Sequence, residues 1–310
     1  MTKTAILILN WNGGNDTVDC LISLQPALTS NDFIFIIDNG STDDSPTIIK
    51  NFLQKNVPAF IASDGNSVLQ DFDEKVYYYY IQNKSNLGFG SGNNVILKQL
   101  SKIDRDFEYI WLLNNDAIVE KETLSHLKIK LASNEKLGAA GSIVLNHPDK
   151  FTIQNTGVKY YPLLGISKLI NKNQNLASIN LSENIKFDYI NGASLILKTE
   201  ALNQIGYFDE RFFLYSEEFD LQLRLKAAGY QLAVVPESKV YHKLMGSTRD
   251  ASHLFFYYYC MSSILLTKKH YSIFTLIIST INLLAVTGIR TFPSAKNFYW
   301  AFKGILTGLR

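Results

Sequence analysis

Two cysteines in 310 residues exclude a disulfide framework, and neither Cys20 nor Cys260 belongs to a Cys-x-x-Cys pair that could hold zinc. That usage fits a reducing compartment. Charge is also scarce: 19% of residues are charged and the net charge is +2, too small to make nucleic acid the main partner. The opening MTKTAILILNWNGG lacks the longer apolar core and small-residue cleavage site of a signal peptide. Its apolar run stops at Asn10, as a first buried strand would. No internal repeat is present. Residues 251–310 lack Asp and Glu altogether, while carrying Lys268, Lys269, Arg290, Lys296, Lys303 and Arg310. That segment is +6, and the remainder, with 24 basic and 28 acidic residues, is −4. The pattern predicts a body over 1–250 and a cationic, aromatic-rich helical extension over 251–310.

With 46% apolar residues, the chain can bury a large core. Short apolar runs at Ala5–Leu9, Phe33–Ile37, Val76–Ile81 and Tyr109–Leu113 read as buried parallel strands. Helices are expected over Asp16–Leu28, from Ser45-Pro46 onward, and over Asn93–Leu100 after a glycine-rich turn at Gly88–Gly92. Gly165–Asn184, rich in Asn, Ser and Lys, reads as a mobile loop region. Alternating strands and helices predict an α/β fold with a mostly parallel sheet covered on both faces. Each strand delivers polar residues at its carboxyl end: Asn10 and Asn12, Asp38, Asn86, then Asn114 and Asp116. Ligands of open α/β sheets bind beyond those ends.

Three features carry chemistry. Asp38, at a strand end before Asn39-Gly40-Ser41, can accept hydrogen bonds from a base or ribose, or cap the next helix. Asp116, after Leu113-Asn114-Asn115, can hold a divalent cation against a diphosphate, a task suited to Mg²⁺ with few protein ligands. Glu217, Glu218 and Asp220 crowd the first turn of a helix among Phe212, Phe213, Leu214, Tyr215 and Phe219. Partial burial there would raise the pKa of one carboxyl into the range of a general base.

Taken together, these stretches resemble the family 2 glycosyltransferases, inverting enzymes of the GT-A fold, and within them the bacterial rhamnosyltransferases of polysaccharide and O-antigen synthesis. The carriers, in order over residues 4–247, are Ile8-Leu9-Asn10-Trp11-Asn12, Asp38 to Asp43, Asn86 to Asn94, Leu113 to Asp116, Asn191-Gly192-Ala193, and Gly206 to Tyr230 closing with His242. The resemblance implies that Asp38 reads the base of a nucleoside-diphosphate sugar, with Asn10 and Asn12 beside it. Asn86, Gly88 and Asn93 would wrap nucleotide and sugar. Asp116 and His242 would bind Mg²⁺ or Mn²⁺, with Asn114 standing where the family's DxD motif has its first Asp. Arg224 would lie near the diphosphate. Glu218 falls on the second residue of the family's Glu-Asp pair, the usual base, with Glu217 and Asp220 beside it; the choice between Glu217 and Glu218 stays open.

The implied reaction is inverting transfer of a sugar, such as rhamnose, to a glycan or lipid-linked glycan. A sugar nucleotidyltransferase is the first alternative, but it would carry a basic glycine-rich loop near the first strand, and Asn10 to Gly14 has no basic residue. A non-catalytic nucleotide-sugar-binding scaffold is the second. In the extension, Ser272, Thr275, Ser279 and Asn282 share one helical face, and Lys296, Lys303 and Arg310 another. Such helices either dock peripherally on the anionic inner face of the cell membrane, from the cytoplasm, or pack on the body or in a homodimer.

Overall fold

Strands that are buried on both faces need apolar side chains at every position, and the first half of the chain supplies them. The computed structural model describes residues 2–64, 73, 75–102, 107–181, 185–243 and 252–310. In chain order, β1 (Lys3–Asn10) leads to α1 (Gly14–Leu24), β2 (Asp32–Asp38) to α2 (Ser45–Asn56), β3 (Phe60–Asp64) and β4 (Tyr78–Gln82) to α3 (Phe89–Leu100), and then comes β5 (Phe107–Asn114). All seven residues of β2 are buried. Along β1, Ile6 and Ile8 join one core while Ala5 and Leu7 join the other, the period of two expected of a strand with helices on both sides.

The second half alternates direction. It comprises β6 (Ala117–Val119), α4 (Thr123–Ala132), β7 (Leu137–Asn146), β8 (Ile153–Asn155), β9 (Val158–Tyr161), β10 (Ile166–Leu169), β11 (Ser194–Lys198), α5 (Thr199–Ile205), α6 (Glu217–Ala227) and β12 (Gln231–His242). The main sheet runs β3-β4-β2-β1-β5-β11-β7-β12-β6, with β8 on β7. The strands from β3 to β5 are parallel, β11 is antiparallel to both neighbours, and β12 is parallel to β7 but antiparallel to β6. The fold is the expected GT-A type: a mixed, mostly parallel sheet flanked by helices, with helices α7 (Ser252–His270), α8 (Ile273–Thr291) and α9 (Ala295–Leu309) following.

Those three helices pack on one another and on the body. A Cβ at Gly304 would lie 2.2 Å from the Tyr257 carbonyl oxygen, so α7 and α9 meet backbone to backbone. Leu266 of α7 enters a cluster with Phe212 and Phe219, Phe213 stacks on Tyr258, and Ser262 donates to the Leu214 carbonyl at 2.8 Å. The boundary expected at 250/251, and the end of the resemblance at 244–247, lie outside the described residues.

The structure corrects three local expectations and settles how α8 is turned. The first helix ends at Leu24, and Gln25–Ala27 forms a 3₁₀ turn, because Pro26 cannot continue the α-helical ladder. The glycine-rich stretch is not a turn beyond Gly88: α3 starts at Phe89, and Gly90 and Gly92 sit inside it, against Phe208 and Leu9. The loop region from Gly165 contains β10, paired with β9; Asn184 is outside the described residues. The polar face of α8 turns inward. Ser279 and Thr287 are buried and return their hydroxyls to carbonyls one turn back, and Asn282 donates to the Leu163 carbonyl. The outward face is the apolar one, with Ile273 71%, Ile289 79% and Phe292, just past the helix, 84% exposed.

Candidate active site

The carboxyl ends of β1 and β2 are held together by side chains. Asn10 and Asp38 are both fully buried, and Asn10 Nδ2 donates to Asp38 Oδ2 at 2.8 Å. The other Asp38 oxygen accepts the Ser41 N–H at 3.0 Å. Asn10 Oδ1 accepts from the Gly13 N–H, Thr17 and Asn115. Asn12, at φ 52, exchanges bonds with Ser41 and Thr42. The segment from Asn83 to Gly88 is pinned by Asn39, a residue with no role in the sequence reading. Its amide nitrogen donates to Asn86 Oδ1 and the Gly88 carbonyl, while its oxygen accepts from Asn83 and the Leu87 N–H. Gly88 itself has φ 82, and a Cβ there would sit 2.2 Å from the Phe213 carbonyl oxygen. The close approach ties the start of α3 to the loop that enters α6. Asn93 is buried, and its side-chain oxygen has no hydrogen-bond partner.

At the end of β12, register brings His242 opposite Ala117, beside Asp116. His242 Nε2 lies 2.9 Å from Asp116 Oδ1 and 3.1 Å from Asn114 Nδ2. Gln154 of β8, which the sequence reading missed, faces the other ring nitrogen. Its Nε2 donates to the His242 carbonyl, which can only accept, so its Oε1 faces His242 Nδ1 at 3.0 Å and requires a proton there. Nε2 is thereby left with its lone pair, toward which the Asn114 amide nitrogen points, and this is the tautomer that metal-bound imidazoles favour. Two ligand atoms at right angles around an ion with bonds of ~2.1 Å stand ~3 Å apart, so the Asp116–His242 pair fits Mg²⁺ or Mn²⁺. Among the described residues no group of three His, Cys, Asp or Glu side chains gathers to hold a metal, so further ligands would come from donor phosphate oxygens and water.

The first turn of α6 separates its three carboxylates. Tyr215 and Ser216, immediately before it, both have left-handed backbones, at φ 68 and 65. Such conformations are costly for non-glycine residues and persist where the surroundings enforce them; here Tyr215 is packed against Phe255 and Tyr259 of α7. Glu217 is 5% exposed, and Glu217 Oε2 and Glu218 Oε2 are both buried without a hydrogen-bond partner. Burial pushes the Glu218 carboxyl up to about 7. Burial, and then the Glu218 charge, push Glu217 well above its ordinary range. Glu218 lies against Gly192, and the carbonyl of the next residue, Ala193, accepts the Asn114 N–H at 3.1 Å. The Asn191-Gly192-Ala193 segment thus links the acidic turn to the Asp116–His242 corner. Gln222, buried and unforeseen, fixes that link with paired bonds to the Ile190 N–H and carbonyl.

Asp220 points elsewhere. Its oxygens meet Arg224 Nε at 3.0 Å, Lys269 Nζ at 2.6 Å and His270 Nε2 at 2.7 Å. Burial alone would raise this carboxyl, but the bonds from His270 and Lys269 and the Arg224 charge outweigh it and hold it low. Arg224 also donates to the carbonyls of Ile205, Gly206 and Tyr207. Neither residue is brought to the Asp116–His242 corner by these contacts. Paired cations on α7, far away in sequence, are the signal that reasoning along the chain could not use.

The sequence profile described as "Glycosyltransferase like family 2" matches residues 59–257, more than half the chain. A Mycobacterium tuberculosis N-acetylglucosaminyl-diphospho-decaprenol L-rhamnosyltransferase is 43% identical over 68 residues, 21% of this chain and 22% of that protein. The Escherichia coli rhamnosyltransferase WbbL is 26% identical over 161 residues, 50% of this chain and 60% of the relative. The matches thus span from a fifth to three fifths of these relatives. A Pyrobaculum calidifontis mannosyltransferase, solved with GDP-Man and Mn²⁺, superposes with a TM-score of 0.60 at 11% identity over 99% of this chain and 87% of its own. That last likeness bears on the fold alone. By the profile match, the chain belongs to glycosyltransferase family 2.

Proposed function

We propose that the protein is an inverting glycosyltransferase that moves a sugar, rhamnose on the likeness to two rhamnosyltransferases, from a nucleoside diphosphate to a hydroxyl of a glycan or lipid-linked glycan. The observation that carries this reading is the Glu217–Glu218 pair, each with one buried oxygen left without a partner and neither with a cation, linked through Asn191-Gly192-Ala193 to the Asp116–His242 corner. A binding scaffold has no need of an uncompensated buried acid, which costs stability. The carboxyl ends of β1, β2 and β4 form the nucleotide side, with Asn12, Asn86 and Asn93 as the polar groups nearest the ligand and Asn10 and Asp38 setting the loop shape. Asp116 and His242 would hold a divalent cation, which when bound supplies positive charge to the departing diphosphate. Glu218 takes the proton of the acceptor hydroxyl as it attacks the anomeric carbon from the face opposite the leaving group. A single displacement inverts the configuration, and no enzyme nucleophile is used. Glu217, more deeply buried, keeps its proton and limits repulsion within the pair.

Residues 251–310 form the membrane-facing part in this reading. α8 is the one helix among the described residues long and apolar enough, by length and composition, to cross a membrane. Its buried Ser279 and Thr287 face inward and its Asn282 amide bonds the Leu163 carbonyl, so its apolar face lies on the anionic cytoplasmic surface, where a lipid-linked acceptor would be met.

Incubation with a panel of nucleotide sugars, with and without chelator, tests the proposal. Metal-dependent release of nucleoside diphosphate and an inverted product support it. Donor binding with no turnover on any acceptor supports the scaffold reading instead. Liposome flotation of Ile273→Glu/Ile277→Glu against the wild type tests the membrane part: equal flotation with anionic vesicles counts against it.

A further inference from the structure

Four cations line one cavity that the sugar-transfer reading does not use. It has a volume of about 440 Å³ and lies where the loop before α6 meets α7 and the end of α9. Arg211, Lys268, Lys269 and Arg310 line it, with Met261 and Leu265 as apolar wall, and none of its lining residues is acidic. Asp209 pairs with Arg211 and with Lys269 at 2.6 and 2.7 Å, and Lys269 also reaches Asp220. Lys268 donates only to the Leu309 carbonyl in this neighbourhood, capping α9. Among the described residues neither Lys268 nor the Arg310 guanidinium pairs with a carboxylate side chain, so the side chains lining the cavity keep a positive surplus. Leading to it, Phe298, Phe302, Leu306 and Leu309 are all exposed. Their spacing of four, four and three puts them on one face of α9, a stripe ~16 Å long at 1.5 Å per residue. The stripe ends beside the cavity, whose wall includes Thr307, Gly308 and Arg310.

A cationic cavity at the end of an apolar stripe is complementary to one kind of molecule, an amphiphile with an anionic head. We propose that this cavity binds the phosphate head of a lipid whose chain lies along the outer face of α9. Arg310 supplies a planar guanidinium suited to phosphate, while Arg211, whose Nε and one amino nitrogen are held by Asp209, adds charge and its remaining amino donors. The inference rests on the membrane-side reading above and makes it specific: the protein holds individual phosphate-bearing lipids at a defined site, beyond attraction to a charged surface.

Calorimetric titration of the full chain with dihexanoyl phosphatidic acid, below its micelle concentration, tests this without donor, metal or transfer. A failed transfer assay would leave the result standing, and the reverse holds too. The expectation is saturable binding, weakened by about tenfold or more in Arg211→Gln/Arg310→Gln. Lys296→Gln/Lys303→Gln removes the same charge from α9 outside the cavity and should cost less than about threefold. Inorganic pyrophosphate should bind more weakly than the lipid, since it lacks the chain. Absence of binding, equal losses in the two double variants, or pyrophosphate binding as tightly as the lipid would each overturn the proposal. Should Arg211→Gln/Arg310→Gln fail to fold, Arg310→Gln alone carries the comparison, because the Arg310 side chain is exposed.

Discussion

The side of α6 that faces the strand ends and the side that faces α7 treat the same chemical group in opposite ways. Glu217 and Glu218 each keep one carboxyl oxygen buried without a hydrogen-bond partner, and the bonds that the two carboxyls do receive come from backbone N–H groups, with no cation among them. Asp220, on the same first turn and fully buried, is surrounded by Arg224, Lys269 and His270. Burial acts on all of them; the supply of donors decides the outcome. On one side it leaves a carboxyl pushed up to about 7, on the other a carboxylate held low. The contrast teaches that the C-terminal helices are fastened to α6 through a carboxylate fully supplied with cationic partners, while one turn of the same helix leaves two carboxyl oxygens buried without any.

The largest effect should come from breaking the unsatisfied side. Glu218→Gln is expected to lower turnover by ~10²–10⁴, the range for loss of a general base, with nucleotide affinity nearly unchanged. Turnover and nucleoside diphosphate affinity are measured separately. If Glu217→Gln is the dead variant and Glu218→Gln turns over, the base is Glu217.

Breaking the satisfied side should be read in stability. Asp220→Asn leaves Lys269, His270 and Arg224 without their shared counter-charge, and loss of one partner from a buried network costs ~3–5 kcal/mol. Urea unfolding is expected to show that loss, with turnover per folded molecule little changed. Normal stability with collapsed turnover would place Asp220 in the chemistry after all.

Much of this contrast was hidden in the chain. The strands, the polar residues at their ends and the acidic turn are local patterns, set by runs of four to eight residues that periodicity reads directly. The separate fates of Glu218 and Asp220 depend on Lys269 and His270, some fifty residues away, and no spacing rule reaches that far. Gln154 and Gln222 were missed for the same reason: an amide in a strand or helix has no signature until its partner is known. The direction of α8 was open in the sequence for another reason. A stripe of Ser, Thr and Asn suits water as well as a close helix contact; here the small hydroxyls bond their own helix's carbonyls, and the polar side is the packed one.

The corner on β12 sharpens the comparison at intermediate size. Gln154→Leu removes the acceptor that requires the His242 proton on Nδ1. Mn²⁺ affinity in the presence of nucleoside diphosphate is then expected to fall by ~10–100-fold, as for other partners of metal-bound imidazoles. Gln154→Glu retains the acceptor and should restore most of it. Nitrogen NMR of the His242 ring reads the tautomer directly; an unchanged tautomer in Gln154→Leu would dissociate Gln154 from the metal corner.

The smallest expected effect is also on Glu218, and it runs against its role in turnover. Its carboxyl is raised in the folded protein from 4.5 to about 7 by burial. The folded state therefore holds its proton where the unfolded chain has released it, and stability is lost as pH rises from about 4.5 through about 7. Above that window the wild type carries a buried charge, and Glu218→Gln does not. The variant should melt at nearly the wild-type temperature at pH 4.5 and above it at pH 8, by a few degrees at ~2–4 °C per kcal/mol for a protein of this size. Turnover follows the opposite rule: only the ionised form accepts a proton, so kcat/KM of the wild type should climb through the same window. Asp220→Asn should show no such gain at pH 8, because its carboxylate is stabilised by partners. A Glu218→Gln melting curve that tracks the wild type at every pH would mean that the carboxyl is satisfied in solution, and the contrast between the two sides of α6 would fall with it.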